Sequence, residues 1–158
     1  MDKAEKIIKK LKLKPLELEG GFFVETYRSQ EKAKIGKKKK NLSTAIFYLL
    51  RKRDKSKIHR LKSDEVYHFY LGDPVNLYLL YPDGKFEKKV LGNNIFKGEL
   101  PQIVIPKMVW QSAKLKKGGN FALLGTTVSP AFEYEDFELA DEKIEKFFIK
   151  NFHKISHK

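Results

Sequence analysis

The sequence predicts an all-β domain, an antiparallel sandwich or barrel with one short helix at each end. Three observations carry that prediction. Short runs of aromatic and β-branched residues recur between strong turn signals, as in Tyr81-Pro82-Asp83-Gly84 and Gly118-Gly119-Asn120. Helical spacing of apolar residues is confined to the two ends. The chain has 158 residues, 41% of them apolar, which suits one domain with a real core.

The elements follow in order. Residues 3–13 place Ile7, Ile8 and Leu11 on one helical face, with lysines opposite and Pro15 as the stop. Gly20-Gly21 opens a first strand at 22–27. Residues 30–41 lack periodicity and are rich in lysine, so they read as a mobile loop. A second strand, 42–50, is apolar on both faces, as a buried strand would be. Strands at 75–80 and 86–91 flank the Tyr81-Pro82-Asp83-Gly84 turn, and strands at 109–115 and 121–128 flank Gly118-Gly119-Asn120. The last helix starts near Asp141 as its cap and carries Ile144, Phe147 and Phe148 on one face. One domain spans 1–158: a helical segment 1–14, a β core 20–128, and a loop with the final helix at 129–158.

Composition excludes several classes. No run of about eighteen apolar residues marks a membrane span. The lysine-rich start lacks the apolar stretch of a signal peptide, and the chain has no cysteine, so a reducing, cytoplasmic setting is expected. The formal charge of +13 raises nucleic acid as a partner. Only four of the 33 basic residues are arginine, however: Arg28, Arg51, Arg53 and Arg60. Arginine supplies the planar fork that reads phosphate and base edges. The lysines are dispersed apart from the run 37–40, and they read as a solvated surface.

The chemistry-bearing stretch is His59-Arg60-Leu61-Lys62-Ser63-Asp64-Glu65, which runs on to Gly72. Strand alternation puts His59 and Leu61 on one face and Glu65, Tyr67 and Phe69 on one face, with His68 and Tyr70 turned the other way. Arg60, offset by one residue from His59, points away.

This stretch resembles the first motif of the cupin superfamily, in which the order is His, any residue, His, three residues, Glu, six residues, Gly; the second histidine is Leu61 here. Further blocks resemble the small cupin-5 family, a domain of unknown function whose members are sometimes described as sugar-epimerase-like. They run from Glu19-Gly20-Gly21-Phe22-Phe23 to Arg28-Ser29, through Thr44-Ala45-Ile46-Phe47-Tyr48, Gly72-Asp73-Pro74, Gly98-Glu99-Leu100-Pro101-Gln102 and Trp110-Gln111-Ser112-Ala113. They end at Ser129-Pro130-Ala131-Phe132-Glu133-Tyr134. The chain departs from the family in having Glu17 where a histidine is usual, Tyr67 where tryptophan is usual, and Ala131 in place of glycine.

The resemblance implies a cupin-type jelly roll with His59 and Glu65 facing the barrel interior. A second motif led by Pro106 would put its histidine at Gln111. The metal set then becomes His59, Leu61, Glu65 and Gln111, too few strong donors for zinc or iron, so no cofactor is expected; a bound metal would have to use His59, Glu65 and Gln111. Cupins of epimerase type that resemble this arrangement use a histidine base and a tyrosine acid without metal, which gives His59, Glu65 and Tyr67 as the catalytic candidates. Gln111, Arg28, Glu25, Gln102 and Trp110 are the candidate ligand contacts. Arg28 suits a phosphate or carboxylate, or an ion pair with Glu25 or Asp64; Trp110 suits a sugar face or the core. His153 and His157 sit in a lysine-rich tail with no expected role.

Three functions compete: an isomerase or epimerase acting on a small polar, sugar-like molecule; a non-catalytic binding or sensor cupin; and, last, a nucleic-acid binder. Pairing through sheet edges, favoured by the apolar run 22–27, makes a homodimer the expected assembly.

Overall fold

A computed structural model describes residues 1–156; His157 lies outside the described residues. Helix α1 (Lys3–Leu11) starts on a capping box in which Asp2 and Glu5 satisfy each other's backbone N–H, and it ends where Lys12 turns left-handed. Thirteen strands follow among the described residues: β1 (Lys14–Pro15), β2 (Phe22–Arg28), β3 (Lys32–Ile35), β4 (Lys38–Asn41), β5 (Thr44–Arg51), β6 (His59–Leu61), β7 (Asp64–Gly72), β8 (Val75–Leu80), β9 (Phe86–Leu91), β10 (Gln102–Ile105), β11 (Trp110–Leu115), β12 (Phe121–Ser129) and β13 (Phe137–Leu139). Helix α2 (Glu142–Ser156) closes the chain.

The strands form a six-stranded antiparallel sheet, β1-β2-β5-β12-β7-β10, facing a five-stranded sheet, β13-β6-β11-β8-β9. This is the jelly-roll sandwich of the cupin type. Tyr48, Leu50, Tyr67, Phe69, Leu77, Leu79, Ile103 and Leu124 fill the space between the sheets. Each sheet also has an apolar outer face, and a helix covers each. Ile7, Ile8 and Leu11 of α1 pack over Leu49, Phe121 and Leu123, which is why β5 is apolar on both sides. Ile144, Phe148 and Phe152 of α2 pack over Tyr78, Leu80 and Trp110.

Two sequence expectations are corrected. Residues 30–41 form the hairpin β3–β4, not a mobile loop: Lys32 to Ile35 pair with Asn41 to Lys38 around a left-handed Gly36. Lys38 forms an ion pair with Glu135 at 2.5 Å, and Lys40 forms one with the buried Asp136. The opposite charges that steady this lysine-rich ribbon come from a segment far downstream. On α2, Asp141 caps the helix by accepting from the Ile144 N–H, but Phe147 is 43% exposed and Phe152 takes the third inward position. The period of 3.6 carries the buried stripe through 144, 148 and 152.

Candidate functional site

At one end of the sandwich a cavity of about 110 Å³ opens between the sheets, and His59 and Glu65 are both in its wall. His59 is on β6, held between β11 and β13 by pairing with Gln111 and Leu139. Glu65 is the second residue of β7, paired with Val128 and Ile105. Each occupies an inward position of its strand, and their residues are only 1% and 6% exposed.

The loop 54–58 fixes the imidazole. His59 Nδ1 lies 2.7 Å from the Lys57 carbonyl oxygen. A carbonyl only accepts, so Nδ1 carries the proton and Nε2 of the neutral ring is a bare acceptor. Nε2 has Glu19 Oε2 at 3.9 Å, too far for a hydrogen bond. The opposite oxygen of Glu19 accepts from Ser56 Oγ at 2.8 Å, and the Lys57 N–H donates to the Glu19 carbonyl. Phe137 stacks on the imidazole at 5.0 Å and 20°.

Glu65 is buried in low dielectric, and this pushes its carboxyl up to about 7. The charge of Glu19 pushes the same way; His59 and hydrogen bonds from Gln111 and Thr126 pull it down and lose. Near neutral pH the site therefore pairs a carboxyl that can give or take a proton with an imidazole whose Nε2 is open.

The other sequence candidates are placed unevenly. Gln111 and Tyr67 are each 1% exposed and are not in the cavity wall. Gln111 Nε2 donates to Glu65 Oε2 at 2.8 Å from behind, while Gln111 Oε1 has no partner. Tyr67 is enclosed in the main core, and its hydroxyl is raised well above its ordinary range by burial and by the charges of Glu65 and Glu19. Alternation places Tyr67 on the same face as Glu65, but two residues further along a strand is about 7 Å deeper. The expected convergence of all four on one cavity is thus corrected to His59 and Glu65, with Gln111 as a support and Tyr67 as core. A role for Tyr67 as acid does not fit that burial.

Arg28 and Glu25 line the cavity but bind each other, with Nε to Oε1 at 2.9 Å. Arg28 also donates to Glu133 at 3.0 Å and to the Phe132 carbonyl. Of the two expectations for Arg28, the structure shows the ion pair with Glu25, and most of the fork is used within the protein. Gln102 is exposed on the outer face, 3.3 Å from His68 Nδ1. Trp110 lies under α2, with the Arg60 guanidinium 4.3 Å from its ring. Neither reaches the cavity. Arg60 itself points outward to Glu138. His153 is exposed on α2.

Sequence reasoning missed Glu19, Thr126 and the aromatic rim of Phe132, Tyr134 and Phe137. Glu19 precedes Gly20, whose φ of +110° and close approach to the Lys55 carbonyl leave no room for a Cβ. The Glu19-Gly20-Gly21 block was the available signal, because glycines that demand such a backbone mark a loop held in place.

Residues 5–140 match the family model described as Cupin superfamily (DUF985). The chain belongs to that family. Protein SO0799 from Shewanella oneidensis has a similar structure, with a TM-score of 0.81, 35% identity, and coverage of 91% of this chain and 88% of that one. A hypothetical protein from Leishmania major is similar at a TM-score of 0.83 and 29% identity, covering 88% of each chain. The uncharacterized protein YML079W of Saccharomyces cerevisiae is 29% identical over 133 residues, 75% of this cupin, and the chain spans 66% of the length of that relative.

Metal-dependent cupins raise the question of whether this barrel could hold a metal. The donor set does not fit. His59 and Glu65 are strong donors, but Leu61 is apolar and only 5% exposed, and Gln111 turns its N–H toward Glu65. Among the described residues no group of three or more His, Cys, Asp or Glu side chains is arranged to hold an ion.

Proposed function

We propose that this cupin binds a small polar molecule in the cavity and moves protons on it without a metal, as an isomerase or epimerase does. The observation that carries the reading is the His59 Nδ1 contact to the Lys57 carbonyl, which leaves Nε2 bare in the cavity wall shared with a carboxyl near pKa 7. An open imidazole nitrogen beside a carboxyl raised towards neutral pH is an arrangement suited to general acid–base work.

In such a step His59 Nε2 takes the proton from a carbon beside a carbonyl group, and the C–H electron pair becomes the C=C bond of an enol. Protonated Glu65 gives its proton to the carbonyl oxygen. Imidazolium and carboxylate then face each other, with Glu19 as a further anion at 3.9 Å from Nε2. Return of one proton to carbon and of the other to Glu65 restores both groups. Gln111 stabilises the ionised Glu65 through its 2.8 Å hydrogen bond and so eases the transfer.

The test uses protein purified under native conditions. Small molecules released on denaturation are identified by mass spectrometry, then returned to the protein in D₂O. Wild type is expected to introduce deuterium at carbon, and His59→Gln to lose at least about a hundredfold of that rate. Retention of a compound without any exchange favours the rival reading, a binding cupin with no chemistry. Retention of nothing leaves the proposal without support.

A further inference from the structure

The cavity carries the opposite charge to the protein around it. The chain has a formal charge of +13, yet the wall of the cavity holds four carboxylates, Glu19, Glu25, Glu65 and Glu133, against one guanidinium, Arg28. Protonating both His59 and Glu65 does not reverse the sign, because three carboxylates then face two cations. Arg28 offers an incoming anion little: Glu25 takes its Nε and one NH2 proton, Glu133 an NH1 proton, and the Phe132 carbonyl another from NH2.

The hydrogen-bonding capacity is one-sided too. The His59 ring is nine-tenths buried and more; with Nδ1 held by the Lys57 carbonyl, its Nε2 has no hydrogen-bond partner among the described residues. Glu19 has one oxygen taken by Ser56, and the other lies 3.9 Å from His59 Nε2, beyond hydrogen-bond reach of it. Glu133 has given one oxygen to Arg28. A wall whose charged groups are mostly carboxylates, with an open acceptor at His59 Nε2, suits a ligand rich in donors, and an ammonium group has three donors and no acceptor. Around these oxygens stand the rings of Phe23, Phe132, Tyr134 and Phe137. Phe132 sits edge-on to Tyr134 at 5.2 Å and to Phe137 at 6.5 Å. Aromatic faces beside carboxylates attract organic cations through the ring quadrupole.

We infer that the cavity selects a small molecule bearing a protonated amine, and that it discriminates against phosphate- or carboxylate-bearing compounds despite the basic surface. The ammonium is met by the carboxylates of Glu19 and Glu133 under the aromatic rim, which leaves His59 and Glu65 to the reacting part of the molecule. This rests on the reading of the cavity as a small-molecule site.

Three probes that share one body and differ in charge test it: glucosamine at a pH where its amine is protonated, glucose, and glucose 6-phosphate. Each is titrated into the intact protein while the backbone amides of Thr126 and Phe137 are followed by NMR. Glucosamine is expected to bind about tenfold tighter than glucose, with glucose 6-phosphate weakest. Glu19→Gln and, independently, Glu133→Gln should erase most of that preference in folded protein. If glucose or its phosphate binds as tightly as glucosamine, the cavity remains a small-molecule site and the ammonium assignment is overturned. If none of the three moves a cavity amide, the assignment is overturned as well. The small-molecule reading then stands or falls on whether the native protein retains a compound.

Discussion

Gln111 donates its side-chain N–H to Glu65 at 2.8 Å, at the position where the second cupin motif would supply a histidine. The amide is locked to the carboxylate from behind, and Leu61 closes the other vacant ligand position with an apolar side chain. What the fold presents to the cavity is therefore a proton-bearing carboxyl beside a base.

Metal content follows from that donor set. Wild-type protein purified without an affinity tag should carry substoichiometric transition metal after dialysis. The double variant Leu61→His/Gln111→His supplies four strong donors and should take up about one equivalent of a divalent metal. Elemental analysis checks both. A full equivalent of metal in the wild type contradicts the metal-free account.

The raised carboxyl of Glu65 makes stability depend on pH. Its folded value, about 7, lies above the unfolded 4.5. The folded state therefore holds the proton more tightly, and the stability it contributes is fully present below pH 4.5 and is lost as pH rises through 7. The loss is on the order of 3 kcal/mol. Glu65→Gln should flatten that part of the profile in denaturant titrations between pH 4.5 and 7. An unchanged slope would show that other groups cause it.

How far the sequence could be read depended on the range of the forces involved. The strands Val75–Leu80 and Phe86–Leu91 were legible because the turn between them is made locally, with Gly84 at φ +87° and Asp83 accepting from the Lys85 N–H. The pair His59 and Glu65 was legible from motif spacing and strand alternation. Depth was not: alternation gives the face of Tyr67 but not its distance from the barrel mouth. The hairpin β3–β4 was hidden because Glu135 and Asp136, which pair with its lysines, are nearly a hundred residues downstream. Glu19 was missed because its role depends on Ser56 and on a glycine backbone, neither of which has a periodic signature.

The loop that carries Glu19 gives a further test. Gly20 sits at φ +110°, against the Lys55 carbonyl, and its own carbonyl accepts from the Tyr48 hydroxyl at 2.9 Å. Gly20→Ala should cost about 1–3 kcal/mol from backbone strain and crowding, and should weaken ligand binding by displacing Glu19. Thermal melts and a binding titration measure the two effects. A variant as stable as wild type would show that the loop is not held by this contact.

Assembly is expected to use the edge of β2. Strand β1 pairs only with Phe22 and Phe23, so the rest of that edge lacks a neighbouring strand among the described residues, and Tyr27 there is 56% exposed. Unpaired backbone groups beside an aromatic side chain favour pairing with a second copy. Light scattering at micromolar concentration should give twice the chain mass, and Val24→Pro should reduce it to one. A wild-type monomer would contradict the expectation.

The most direct measurement of the central claim is the side-chain carboxyl ¹³C shift of Glu65, followed by NMR from acid to alkaline pH in wild type and in Gln111→Leu. The account predicts a midpoint near 7 in wild type, moving higher in the variant as the stabilising hydrogen bond is lost. A wild-type midpoint near the ordinary carboxylate value of 4.5 would contradict it: Glu65 would then be ionised throughout the neutral range and would have no proton to give.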